Sequence, residues 1–90
     1  MRLDLFLKAS RICPRRTVAQ QLCDAGHVTV NGSRAKPAHP IKAGDEIVVR
    51  RRDKVMTVRV LSIPQRTQTS KQHSRELYEL TGEETLSDLQ

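Results

Sequence analysis

Most of the residues in this chain that could do chemistry are spaced to hold anions, and few are spaced to make or break bonds. Cys23 and His27 stand four apart with Cys13 upstream, which is the start of a zinc ligand set. Gly26 should break a helix between them, however, and no second close pair completes four ligands. His39 and His73 have no neighbouring nucleophile or carboxylate pair, and a general base needs a positioned partner. No Gly-rich phosphate loop of the P-loop or dinucleotide-binding type is present. The expectation is a protein without catalysis, metal or cofactor. The basic residues fall into two groups: Arg2, Lys8, Arg11, Arg15 and Arg16 near the N-terminus, and Arg50, Arg51, Arg52 and Lys54 crowded together further on. A solvated surface accounts for a basic turn. It does not account for two arginines set directly before a helix start, where backbone amides are unpaired and a phosphate is the natural ligand.

Composition agrees with that reading. Ninety residues make one domain at most, with a small core. With 37% apolar residues but one Phe, one Tyr and no Trp, the core must come from Val, Leu, Ile and Ala, and stacking of bases on aromatic rings is not the expected binding mode. Residues 1–75 carry all 16 Lys and Arg against five acids, Asp4, Asp24, Asp45, Glu46 and Asp53. Residues 76–90 carry Glu76, Glu79, Glu83, Glu84 and Asp88 with no Lys or Arg. The body is basic and the tail acidic, so the expected partner of the body is a polyanion that releases counterions on binding. Two cysteines outside any CxxC pattern fit a reducing cytosol better than a disulfide framework. MRLDLFLKAS mixes charges among its apolar residues, unlike a signal peptide, and no stretch is long enough to span a bilayer. A cytoplasmic protein without a membrane partner is expected.

The elements that must position the basic residues are legible in order. Leu3, Phe6 and Leu7 at i, i+3 and i+4 predict one buried face of a short N-terminal helix, with Arg2, Lys8 and Arg11 off that stripe. Asp4 and Lys8 make an i, i+4 pair in the favourable order, which assigns Asp4 a local structural role. Pro14 separates this helix from the next. Thr17 and Gln20 read as a capping box for a second helix from Val18 to about Ala25, with Val18 and Leu22, and Ala19 and Ala25 nearby, as its narrow buried stripe and Gly26 as its left-handed stop. His27 to Val30 alternates as a strand, Asn31-Gly32 is a tight hairpin turn, and Ser33 to Lys36 returns as a second strand. Pro37 and Pro40 mark a loop, Lys42 to Asp45 a turn, Glu46 to Arg50 a third strand, and Val55 to Ile63 a fourth, with Val58 and Val60 on one face. Residues 65–74 read as a mobile polar linker, Ser74 to Leu80 as a short helix stopped by Gly82, and the last eight residues as disordered.

Three separated blocks, RLDLFLKASR, RRTVAQQLCDAGHVTVNG and KAGDEIVV, occur in an order that resembles the RNA-binding domain named after ribosomal protein S-four. The likeness covers roughly residues 1–61 and departs from the pattern at Cys13-Pro14, in the turn between the helices. So short a chain resembles in particular the RqcP family of bacterial ribosome-associated quality control. A related small heat-shock protein of obstructed large subunits is a close cousin. The resemblance implies binding to large-subunit rRNA and to peptidyl-tRNA after a stalled ribosome splits, alongside an RqcH-type factor that adds a C-terminal alanine tail. Arg2 and Arg16 match the family's rRNA-contacting arginines, Lys8, Arg11 and Arg15 extend that face, and Asn31-Gly32 matches its hairpin.

The expected fold is therefore α+β, S-four-like, with two to three short helices on a small bent antiparallel sheet. Residues 1–63 are expected as the RNA-binding domain and residues 64–90 as linker, short helix and acidic tail. The candidate RNA-binding residues are Arg2, Lys8, Arg11, Arg15, Arg16, Thr17, Asn31, Arg34 and Lys36. A monomer suffices for this reading. The alternatives are a heat-shock-type rescue role and a protein-docking module that works through the acidic tail.

Overall fold

Leu3, Phe6 and Leu7 are fully buried, and their common face is why the chain begins with a helix. In the computed structural model, which describes residues 1–64 and 71–85, this helix is α1, Leu3–Ala9. It is followed by α2 (Arg16–Asp24), β1 (Val28–Val30), β2 (Ser33–Arg34), β3 (Glu46–Arg51), β4 (Lys54–Val60), α3 (Lys71–Arg75) and β5 (Tyr78–Thr85). The strands form one antiparallel sheet in the order β2-β1-β3-β4-β5. Val28 and Val30, Ile47 and Val49, and Val58 and Val60 alternate onto one face of the sheet, where they meet Leu3, Phe6, Leu7, Ala19 and Cys23 in a single core. The α+β arrangement read from the sequence is the one found.

The first hairpin turn follows its chemistry. Asn31 and Gly32 have φ of 52° and 86°, as a two-residue turn between right-twisted strands requires. The start of α1 is held by the loop between β2 and β3. Leu3 N–H donates to the His39 carbonyl (2.8 Å), Asp4 N–H to that of Pro37 (3.1 Å), and Ile41 N–H to that of Met1 (2.8 Å). The Pro37 and His39 carbonyls thus anchor the N-terminus while satisfying helix amides that would otherwise be unpaired.

Three expectations are corrected. The buried stripe of α2 is Ala19 and Cys23, with Val18 and Leu22 half-buried at its flanks and Ala25 exposed. The small side chains are the ones that allow α2 to approach α1 closely. The helix expected from Ser74 to Leu80 is replaced by α3, which ends at Arg75, and by β5, into which Tyr78 and Leu80 fall. Leu77 and Leu80 fit a helical spacing, but Tyr78-Glu79-Leu80 fits alternation equally well, and the open edge of β4 decides for the strand. Gly82 therefore stops no helix. It pairs with Thr57 beside a bulge at Thr57/Val58, where the extra residue Thr81 donates its hydroxyl to the Thr57 carbonyl (3.2 Å). The expected linker lies outside the described residues over 65–70, and its remaining four residues open α3. Of the expected disordered end, Glu83 to Thr85 belong to β5 and residues 86–90 lie outside the described residues.

Candidate nucleic-acid interface

Asp4 organises the basic face. Its side chain is fully buried and accepts from every direction: Leu5 N–H at 2.8 Å and Arg2 Nε at 3.2 Å on Oδ1, Arg2 Nη2 at 3.3 Å, Arg16 Nε at 3.0 Å and Gln20 Nε2 at 3.0 Å on Oδ2. Burial pushes this carboxyl upward. The hydrogen bonds from Gln20 and Arg16 and the charges of Arg16 and Arg2 outweigh that push, so its pKa lies below the ordinary value and Asp4 is ionised. One carboxylate thus serves two guanidinium groups whose side chains remain 45% and 41% exposed, and a positive charge is left over at the surface. The Nη groups of Arg16 are outside the Asp4 contact and keep their donors for a ligand.

Local geometry explains who reaches Asp4. Arg16 and Gln20 are i and i+4 on α2, so both lie on the helix face turned to α1. The expected Asp4–Lys8 pair and the expected Thr17–Gln20 capping box are both overturned by this one cluster. Helix α2 begins two residues earlier than predicted, with Arg15 at the N-cap and no side-chain cap bond. Thr17 is an exposed second helical residue, and Gln20 is spent on Asp4. The first amides of α2 consequently lie beside Arg15 and Arg16 with no side-chain cap bond. Nearby, Lys8 is half-buried in the last turn of α1, and Arg11, exposed, follows that helix with φ of 62°.

The remaining candidates lie elsewhere. Arg34 Nη2 donates to the Asp24 carbonyl at 2.7 Å, so this arginine closes the C-terminal end of α2, a helix length (roughly 13 Å) from Arg16. Its guanidinium lies over Gly26. Asn31 is exposed but partnered: its amide donates to Asp45 (3.1 Å) and accepts from Glu46 N–H (2.9 Å), locking the hairpin turn to the turn before β3. Lys36 is exposed beyond β2. The structure thus brings Arg2, Arg15 and Arg16 together around Asp4 and the start of α2, while Asn31 and Arg34 have structural partners. Cys13 and Cys23 are buried free thiols, and burial pushes Cys23 up to about 11, with Cys13, Asp4 and Asp24 adding to the effect. His27, past the Gly26 stop, is exposed while Cys23 is buried, so the pair does not converge.

Sequence reasoning missed Asp4 and Gln20 as the residues that aim the arginines. The usable signal was the i, i+4 spacing of Arg16 and Gln20, two donors on one helix face that require a common acceptor.

A helix pair carrying paired arginines on a small antiparallel sheet defines an S4 domain, and residues 1–47 match the S4 domain family model. The chain is 42% identical to the RQC P-site tRNA stabilizing factor of Halalkalibacterium halodurans, over 97% of each chain. It is 40% identical to that of Bacillus subtilis, over 98% of this chain and all of the relative. Among solved structures, heat shock protein 15 of Vibrio cholerae, described as a trimer, superposes with a TM-score of 0.83 at 30% identity, over 90% of this chain and 81% of that one. The chain belongs to the S4-domain family of RQC P-site tRNA stabilizing factors.

Proposed function

We propose that this protein is a non-catalytic RNA clamp of bacterial ribosome-associated quality control. It binds the obstructed large ribosomal subunit through rRNA and peptidyl-tRNA, in the cytoplasm and as a monomer, and holds the tRNA while an RqcH-type factor extends the stalled chain with alanine. The observation that carries the reading is the pair of guanidinium groups fixed on buried Asp4 beside the uncapped start of α2. A helix terminus and two oriented arginines suit phosphate oxygens, and fixed cations without aromatic platforms suit RNA recognised by shape more than by base identity. The names of its full-length relatives support the ribosomal setting.

Co-sedimentation with purified large subunits carrying peptidyl-tRNA tests the proposal. Arg2→Ala and Arg16→Ala each weaken binding by about 1–3 kcal/mol and lower the salt slope by about one. Unchanged co-sedimentation of both variants overturns it. Reconstituted tailing with an RqcH-type factor separates the alanine-tailing role from a heat-shock-type rescue role, since only the first requires this chain for tail extension.

A further inference from the structure

The second basic group sits on the β3–β4 hairpin. Three features of this hairpin are unfavourable for a turn that serves the fold alone. Arg51 and Lys54 are directly paired across the strands, so like charges face each other. Arg52 occupies the left-handed region with φ of 50°, a position that Asn31 fills in the first hairpin. Among the described residues, no acid lies within ion-pair distance of Arg50, Arg52 or Lys54. Backbone strain retained at exposed cationic positions points to a ligand.

The hairpin is also braced against the helices. Arg51 and Lys54 continue the sheet face that carries Val49 and Met56, the face on which α1 and α2 pack. Arg51 Nη1 donates to the Ile12 carbonyl in the α1–α2 turn at 3.2 Å, which places the hairpin tip beside the segment leading to Arg15 and Arg16. A half-open hollow of about 460 Å³ lies at this tip. Val49 and Met56 line it together with Arg51, Arg52, Lys54 and two carboxylates, Asp53 and Glu83. Half-buried Met56, lying over buried Val49, gives the hollow an apolar floor, and three cations outnumber its two carboxylates, which suits a nucleotide with a flat base and an attached phosphate. The carboxylate of Glu83 adds an acceptor for a base amino group.

We propose that this hairpin is a second RNA-binding element, and that its hollow receives one unpaired nucleotide, the base on Met56 and the phosphate at Arg52 and Lys54. The inference rests on the RNA-binding reading above and extends the same bound RNA from the helix face to the hairpin.

Fluorescence anisotropy of the full chain with two RNAs tests it: a fully paired stem, and the same stem with one unpaired adenosine. Wild type prefers the second RNA by about tenfold. Arg52→Gln with Lys54→Gln removes the preference and lowers the salt slope by about two. Arg16→Ala weakens both RNAs and keeps the preference. Arg52→Asn, which suits the left-handed position, melts at or above the wild-type temperature while losing affinity for the unpaired-adenosine stem, which separates binding loss from misfolding. If the double variant binds both RNAs as wild type does while Arg16→Ala is weakened, the hairpin site is overturned and the helix face stands. If Arg16→Ala and the double variant both bind as wild type does, both readings fall.

Discussion

Asp4 concentrates the relation between folding and binding in one side chain. It is buried because it joins α1 to α2, and it is ionised because Arg2, Arg16 and Gln20 all point at it. Asp4→Asn keeps the shape and removes the charge, so it should destabilise the fold by about 2 kcal/mol, seen as a melting temperature lower by about 10 °C. The same variant loses RNA affinity, because the arginines lose their common anchor. Its acid behaviour follows from the direction of the pKa shift. The folded pKa lies below the unfolded one, so as pH falls the unfolded chain takes up the proton first. The contribution of Asp4 is therefore complete above about pH 5 and is lost as pH falls through about 4 and on toward the folded pKa. Urea melts across pH 3–6 should show this limb in wild type and flatten it in Asp4→Asn. None of this was legible locally. The i, i+4 rule offered Lys8, and the residues that win are 12 and 16 positions away, reached only once two helices are packed.

At the scale of elements, the ends of α2 show where sequence signals succeed and where they compete. The stop was plain: Gly26 adopts φ of 80°, its N–H donates to the Cys23 carbonyl, and His27 N–H donates to that of Leu22, the paired bonds of a left-handed helix end. A Cβ on Gly26 would come within 3.2 Å of the Arg34 guanidinium. Gly26→Ala therefore strains the backbone and displaces the cap together, costing about 1–2 kcal/mol, which chemical denaturation can measure. The start was misread because Thr-x-x-Gln describes a capping box and also two neighbouring positions inside a helix. Which one forms depends on whether Gln20 finds a better partner, and Asp4 is that partner. The C-terminal strand was hidden by a similar ambiguity, since a short apolar pattern is compatible with both periods until an unpaired sheet edge is available.

The molecule as a whole separates its charge. The acidic strand β5 closes the sheet edge on β4, with Glu79 opposite Arg59 and with Glu83 and Glu84 opposite Met56 and Val55. The two basic clusters sit on the first two helices and on the β3–β4 hairpin. The composition showed this division, but it could not show that acids expected in a short helix and a disordered end would be built into the sheet. Those acids repel a polyanion that approaches the hairpin end. Replacing Glu79, Glu83 and Glu84 by Gln should raise the RNA association rate several-fold at low salt, and stopped-flow rates for the two proteins should converge as ionic strength rises.

The two arginines on Asp4 also bear on disorder. A solvated arginine side chain samples many rotamers, a freedom of about 2 kcal/mol that is normally surrendered when it grips a ligand. Arg2 and Arg16 give up much of theirs when the chain folds, at the carboxylate that holds the helices together. An incoming RNA meets donors whose directions are already set, so the ordering that accompanies association falls mainly on the RNA.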